Sequence, residues 1–160
     1  VLGQKTLKEL LHYNPDTGDF TWLISKGVKA GTVVKYSIQG HIYVRIHGRS
    51  YPIHRLAFLY MTGEFPVDQV DHINNIRSDN RFINLRECNS FENTCNSPLR
   101  SDNTSGAKGV HWDSKNSKWY ASICAKKTRY FLGRFDDFEL AEFVINEARD
   151  ILHGEFANNG

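Results

Sequence analysis

Cysteine is scarce in this chain. Cys88, Cys95 and Cys124 are the whole supply, odd in number and without paired spacing. That argues against a disulfide framework and against a structural zinc site built from close Cys/His pairs. The three read as reduced thiols of a cytosolic protein. Long apolar runs are also missing: nothing approaches the roughly 18 residues that a membrane span needs, so no membrane partner is expected. The opening residues Val1-Leu2-Gly3-Gln4-Lys5 show no signal-peptide pattern. The lack of an initiator Met suggests trimming or a partial chain. No internal repeat is visible. Apolar residues still make up 40% of the 160, so a core can form, and the length suits one ordinary domain or two small ones.

Net charge is small, +2, but it is sorted along the chain. Ser97 to Phe135 holds eight bases against two acids, a balance of +6, whereas Asp136 to Glu155 holds seven acids and one base, −6. A basic segment backed by an acidic one suits a module with one face turned to phosphate, although an ordinary solvated surface gives the same count.

The apolar pattern predicts the elements. Leu7, Leu10 and Leu11 place a short helix over Lys5–His12. The cluster Asn14-Pro15-Asp16-Thr17-Gly18-Asp19 reads as a turn, and Phe20–Ile24 as a strand. His41–His47 alternates: Ile42, Val44 and Ile46 face one way, and His41, Tyr43, Arg45 and His47 the other. That second face suits nucleic acid or is simply the wet side of a sheet. A helix follows over His54–Met61, then strands at Val67–Ile73 and Asn84–Cys88. Next comes a helix capped by Asn89, with Glu92 three residues on. Ser101 to Gly106 reads as a linker, putting a domain boundary near residue 100. Beyond it lie strands at Val110–Ser114, Trp119–Ala125 and Arg129–Phe135. A final helix runs from Asp136 or Asp137 to about His153, with Ala141, Val144, Ala148 and Ile151 as its apolar stripe and Gly154 as its stop.

The stretch with chemical content is Val70-Asp71-His72-Ile73, then Asn80, Asn84-Leu85-Arg86 and Glu92-Asn93. Phosphodiester hydrolysis needs a base for water and a cation for the charge on the phosphoryl and departing oxygens. Neutral imidazole serves as a base near pH 7. A carboxylate and an amide carbonyl are hard oxygen ligands, suited to Mg²⁺ or Mn²⁺. Adjacent strand residues face opposite ways, so Asp71 and His72 can share one site only if the strand end bends or bulges.

With His54-Arg55-Leu56 and Asp79-Asn80-Arg81 added, this set resembles the HNH endonucleases, and is close to phage and intron-encoded homing members. The likeness covers roughly His54 to Asn96. It implies a hairpin-and-helix ββα-metal fold, with His72 as general base and Asp71 and Asn93 as metal ligands. It makes Asn84 the middle Asn that pins the loop presenting His72, a role for which Asn80 competes. Asn93 stands where the family often has His, a variation found among active members. An amide oxygen is the harder ligand, so soft transition metals should be tolerated less. His54 touches a phosphate or caps the helix it precedes. Arg77, Arg81 and Arg86 are candidates for phosphate, as is Arg45 on the basic strand.

Ser105 to Phe156 resembles the DNA-binding domain of plant APETALA and ethylene-response factors, through Ser105-Gly106, Lys108-Gly109-Val110, Trp112, Lys118-Trp119, Ala121, Ile123, Leu132-Gly133, Phe135, Ala141 and His153-Gly154. That domain lays a three-stranded antiparallel sheet into the major groove with a helix behind. The likeness implies DNA contacts from Lys108, His111, Trp112, Lys118, Trp119, Lys126 and Arg129, although Trp112 and Trp119 also suit a core.

The expectation is thus an α+β chain. Antiparallel strands and a ββα-metal core fill residues 1–100 (N-terminal sheet 1–53, core 54–98), and a three-stranded antiparallel sheet packed on one helix fills 101–160. The function expected is Mg²⁺-dependent cleavage of double-stranded DNA, with Mn²⁺ as a substitute ion, in a bacterial host cytoplasm. A single centre per chain cuts one strand per visit, so cutting both strands needs a dimer or two events; a monomer or weak homodimer is expected. A DNA-binding regulator with a vestigial centre is the competing reading, and a structural phage protein a third.

Overall fold

The computed structural model describes residues 2–25 and 27–160. The chain is α+β and divides into two compact units, Val1–Asn89 and Ser90–Gly160.

In the first unit, helix α1 (Gln4–Leu10) passes directly into strand β1 (Leu11–Tyr13), which pairs antiparallel with β2 (Phe20–Trp22). The helix therefore ends two residues earlier than its periodicity suggests. Leu11 is fully buried as a strand residue, opposite Trp22. A second sheet joins β3 (Ser37–Ile38), β4 (His41–Ile46) and β5 (Arg49–Pro52) in that order. The alternation of β4 is real, since Val44 and Ile46 are buried while Arg45 is exposed. Helix α2 (Ile53–Thr62) buries Ile53, Leu56, Ala57, Phe58 and Leu59. It stops at Gly63, whose φ of 94° allows a left-handed C-cap with its N–H on the Leu59 carbonyl. The antiparallel hairpin β6 (Gln69–His72) and β7 (Leu85–Cys88) completes the unit. One core serves all of these, including Leu7, Tyr13, Phe20, Val44, Ile53, Leu56 and Leu85.

In the second unit, α3 (Ser90–Cys95) precedes a three-stranded antiparallel sheet of β8 (Val110–Asp113), β9 (Lys118–Ala125) and β10 (Thr128–Phe135), with β9 central. Helix α4 (Phe138–His153) packs on it through Ala141 and Ile145, against Ala107, Val110 and Ala121. Asp137 caps α4, accepting from the Leu140 N–H at 2.7 Å. The predicted stripe is rotated: the buried positions are Ala141, Ile145 and Arg149, and Ile151 is 80% exposed. Arg149 tolerates burial because its guanidinium donates to the Lys108 carbonyl, Asn146 Oδ1 and Asn159 Oδ1 at 2.6–2.7 Å.

Candidate active site

Asp71 and His72 close strand β6. The ladder to β7 is regular through both, with Asp71 opposite Arg86 and His72 opposite Leu85. Of the expected bend or bulge, the ladder holds no bulge. The chain turns just after His72, where the Asn75 N–H bonds the His72 carbonyl at 2.8 Å and Asn75 takes φ 61°. Both side chains are 5% exposed but find different neighbours. Asp71 Oδ2 accepts from Arg86 Nε at 3.0 Å and Nη2 at 2.8 Å. His72 Nε2 lies 3.1 Å from Asn80 Oδ1.

The two candidate asparagines hold different things. Asn84 fastens the loop: its Oδ1 accepts from the Asn74 N–H, and its Nδ2 donates to Asn74 Oδ1 and the Asp79 carbonyl, all within 2.8–3.1 Å. Asn80 holds the imidazole itself. Its Nδ2 donates to the Ser78 carbonyl at 3.0 Å, so Oδ1 faces His72 as an acceptor. The His72 Nε2 therefore carries the proton, and the lone pair of the neutral ring sits on Nδ1.

Asn80 is held in turn by the N-terminal turn. The Tyr13 hydroxyl donates to the Asn80 carbonyl at 2.7 Å. Gly18, at φ 78°, lies so close that a Cβ there would sit 2.4 Å from the Asn80 carbonyl carbon. Only glycine fits. Asn14 builds this turn by accepting from the Asp16 and Thr17 N–H groups.

Around His72 stand His41, at the start of β4, and His54, in the first turn of α2. His54 lies inside the helix and makes no side-chain cap bond, so the capping role falls away. One ring nitrogen from each of the three histidines lies within 4.8 Å of the others. Burial lowers the pKa of all three, and the positive charge of neighbouring imidazoles adds to this for His41 and His54; His54 falls to about 3. For His72 the Asn80 hydrogen bond and then Asp71 pull the other way without overcoming burial. In the sequence alone, His41 reads only as part of an open strand face.

The basic candidates are scattered. Arg81 is paired with Asp79 at 2.6 Å, Arg77 donates to the Gln39 carbonyl, and exposed Arg45 reaches the Gly48 carbonyl. Asn93 lies half-buried on α3, in the second unit.

In that unit Lys108 turns inward to the Ser97 and Asn158 carbonyls, and burial lowers its pKa to about 8. Lys118 pairs with Asp136 at 2.8 Å. Trp119 packs on Phe138, whereas Trp112 is 51% exposed. Lys126 and Lys127 form the tip between β9 and β10, both at positive φ, and Arg129 is exposed beside it. The sheet face bearing His111 also carries Tyr120, Phe131 and Arg134, with the Arg134 guanidinium about 5.5 Å from both of those rings' centroids. Sequence reasoning passes over Tyr120 and Phe131 because an alternating aromatic in a strand reads first as core, and it counts Arg134 only in the charge of the basic segment.

No curated protein and no solved structure matches the chain. The likeness expected for Ser105 to Phe156 receives no support from any family model. Residues 51–94, from β5 through α3, match the family model described as HNH endonuclease, and the match supports an HNH nuclease domain over that stretch.

Proposed function

We propose that the protein is a divalent-metal-dependent endonuclease that cuts double-stranded DNA to 5′-phosphate and 3′-hydroxyl ends, with His72 as general base. The observation that carries this reading is the fixed imidazole: His72 is buried at a hairpin end with Nε2 on Asn80 Oδ1. That bond directs the lone pair at Nδ1 to a water proton, and burial keeps the ring neutral.

HNH nucleases generally use a divalent metal. Asp71 has the chemistry for such an ion: it is a buried carboxylate, a hard oxygen donor, next to His72 in the chain, although the ion would have to share it with the Arg86 guanidinium. Asp71 would help to hold Mg²⁺ or Mn²⁺. The bound ion would supply neutralising charge for the phosphoryl and departing oxygens. The basic, aromatic face of β8–β10 is proposed to meet the duplex. A phage or homing enzyme acting in a bacterial cytoplasm is the setting that the motif suggests.

The test is nicking of supercoiled plasmid. Cleavage is expected in Mg²⁺ and not in EDTA. His72→Ala should slow it by about 10²–10⁴-fold with DNA affinity retained. Wild-type cleavage by that variant, or full activity in EDTA, overturns the reading. A DNA-binding regulator would bind without nicking.

A further inference from the structure

His41, His54 and His72 come from three different elements and meet at one point. Three atoms within 4.8 Å of one another always share a centre within about 2.8 Å of each. Imidazole nitrogen binds a divalent ion such as Zn²⁺ at about 2.0–2.1 Å. A shift of less than about 1 Å per ring therefore closes the cluster on an ion. The rings are not stacked: their centroids lie 5.2–5.6 Å apart, with planes inclined by 47–78°.

A second observation points to a ligand. His54 is nine-tenths buried, and Nδ1 of both His54 and His41 is buried with no hydrogen-bond partner. A buried polar atom left unsatisfied costs about 1–3 kcal/mol. A site that served only packing would favour an apolar side chain, as α2 has at Ile53, Leu56 and Ala57.

The geometry points to a second metal site, made of His41, His54 and His72, that takes a borderline ion of the Zn²⁺, Co²⁺ or Ni²⁺ kind and thereby withdraws His72 from catalysis. Imidazole donors prefer these ions, whereas hard oxygen donors suit Mg²⁺. Arg55 and Arg77 lie near enough to repel a cation, and Asp71 and Asp79 near enough to attract one. Those formal charges balance, so the three lone pairs decide. A neutral ring has one lone pair, and it accepts either a water proton or a metal ion. The inhibitory half of this proposal rests on reading His72 as the base, while metal binding does not.

The test uses the full chain stripped of metal and titrated with Co²⁺, whose visible absorption reports nitrogen ligation in a four-coordinate complex. Zn²⁺ is then added in competition. In parallel, plasmid nicking at fixed Mg²⁺ is followed as Zn²⁺ rises. One four-coordinate, nitrogen-ligated Co²⁺ per chain is expected. His41→Gln should weaken binding by about tenfold or more. It should raise the half-inhibiting Zn²⁺ concentration by a similar factor, each variant being referred to its own Zn²⁺-free rate. His54→Gln should do the same. Should that variant not fold, His41→Gln carries the test, since His41 is only half-buried. Absent Co²⁺ absorption, an affinity indifferent to His41→Gln, or Zn²⁺ that binds there and accelerates cleavage would overturn the proposal. If Co²⁺ binds through His41 but wild type never nicks DNA in Mg²⁺, the metal site stands and the nuclease reading fails.

Discussion

Replacing Asn80 with alanine separates the residue that holds the proposed base, His72, from Asn84, which pins its loop. Asn80 is 1% exposed; it accepts from His72 Nε2 at 3.1 Å and donates to the Ser78 carbonyl at 3.0 Å. Ser78 is exposed, so water replaces the second bond. The buried imidazole N–H has no such recourse, and leaving it unsatisfied costs about 1–3 kcal/mol. If that cost falls on the orientation of the base in the transition state, cleavage slows by roughly five- to 150-fold. The pH profile moves as well. The Nε2–H bond to Asn80 favours the protonated ring and raises the His72 pKa, while burial lowers it below 6.5. With His72 as the proposed base, the neutral ring is the active form, so activity is expected to rise with pH through a pKa already under the ordinary histidine value. Without Asn80 that limb should lie at still lower pH. Asn84→Ala also loosens the loop, but it leaves the Nε2 partner and the acid limb in place. The assay is single-turnover plasmid nicking in Mg²⁺ across pH, beside thermal unfolding of each variant. An Asn80→Ala protein with wild-type plateau and limb, or with the limb moved upward, would refute the argument.

Gly18→Ala should destabilise the protein by about 1–3 kcal/mol in urea unfolding, through its positive φ and the collision with Asn80. Cleavage by the folded fraction should also fall, because Asn80 carries the base. Arg149→Met should lower stability by about 1–3 kcal/mol by stranding the Lys108 carbonyl, read by thermal unfolding. Arg129→Ala with Arg134→Ala should flatten the slope of log affinity against log salt by about 0.9 for each phosphate no longer neutralised. An unchanged slope would remove the β8–β10 face as the DNA surface. Point changes serve this purpose better than deletion from Asn103, which would cut through the compact unit Ser90–Gly160.

Much of the architecture is legible in the sequence because it is written locally. Asp137 and Gly154 bracket α4 with ordinary cap chemistry, and the alternation of β4 marks its buried face. Strands β3 and β5 escape such reading: one has two residues, and the other is Arg-Ser-Tyr-Pro, with no apolar alternation to reveal it. The face of α4 is misplaced for a different reason. Hydropathy assigns an arginine to solvent, and only the assembled fold shows the three acceptors that make Arg149 an interior residue. The nuclease motif stands out because Asp71, His72, Asn80 and Asn84 fall within one hairpin and its loop.

The histidine cluster is hidden by the same logic. Alternation puts His41 on the face of β4 opposite Val44 and Ile46, but a strand's own pattern says nothing about what packs over that face. His54 is weighed against the first turn of its helix because a cap is a local role, and its actual neighbours are 13 and 18 positions away in sequence. The two asparagines teach the converse. Spacing makes Asn80 and Asn84 rivals for one role because both lie between the strands of the hairpin. The fold gives each its own task, since the loop needs a clamp at its base and the imidazole needs an acceptor at its rim. Tyr13 and Gly18 then tie that acceptor to an N-terminal turn more than 60 residues away in sequence. The orientation of His72 therefore depends on a segment outside the matched stretch 51–94. A grafted hairpin carrying only Asp71 to Arg86 would keep Asp71, His72, Asn80 and Asn84 and lose the support that aims His72.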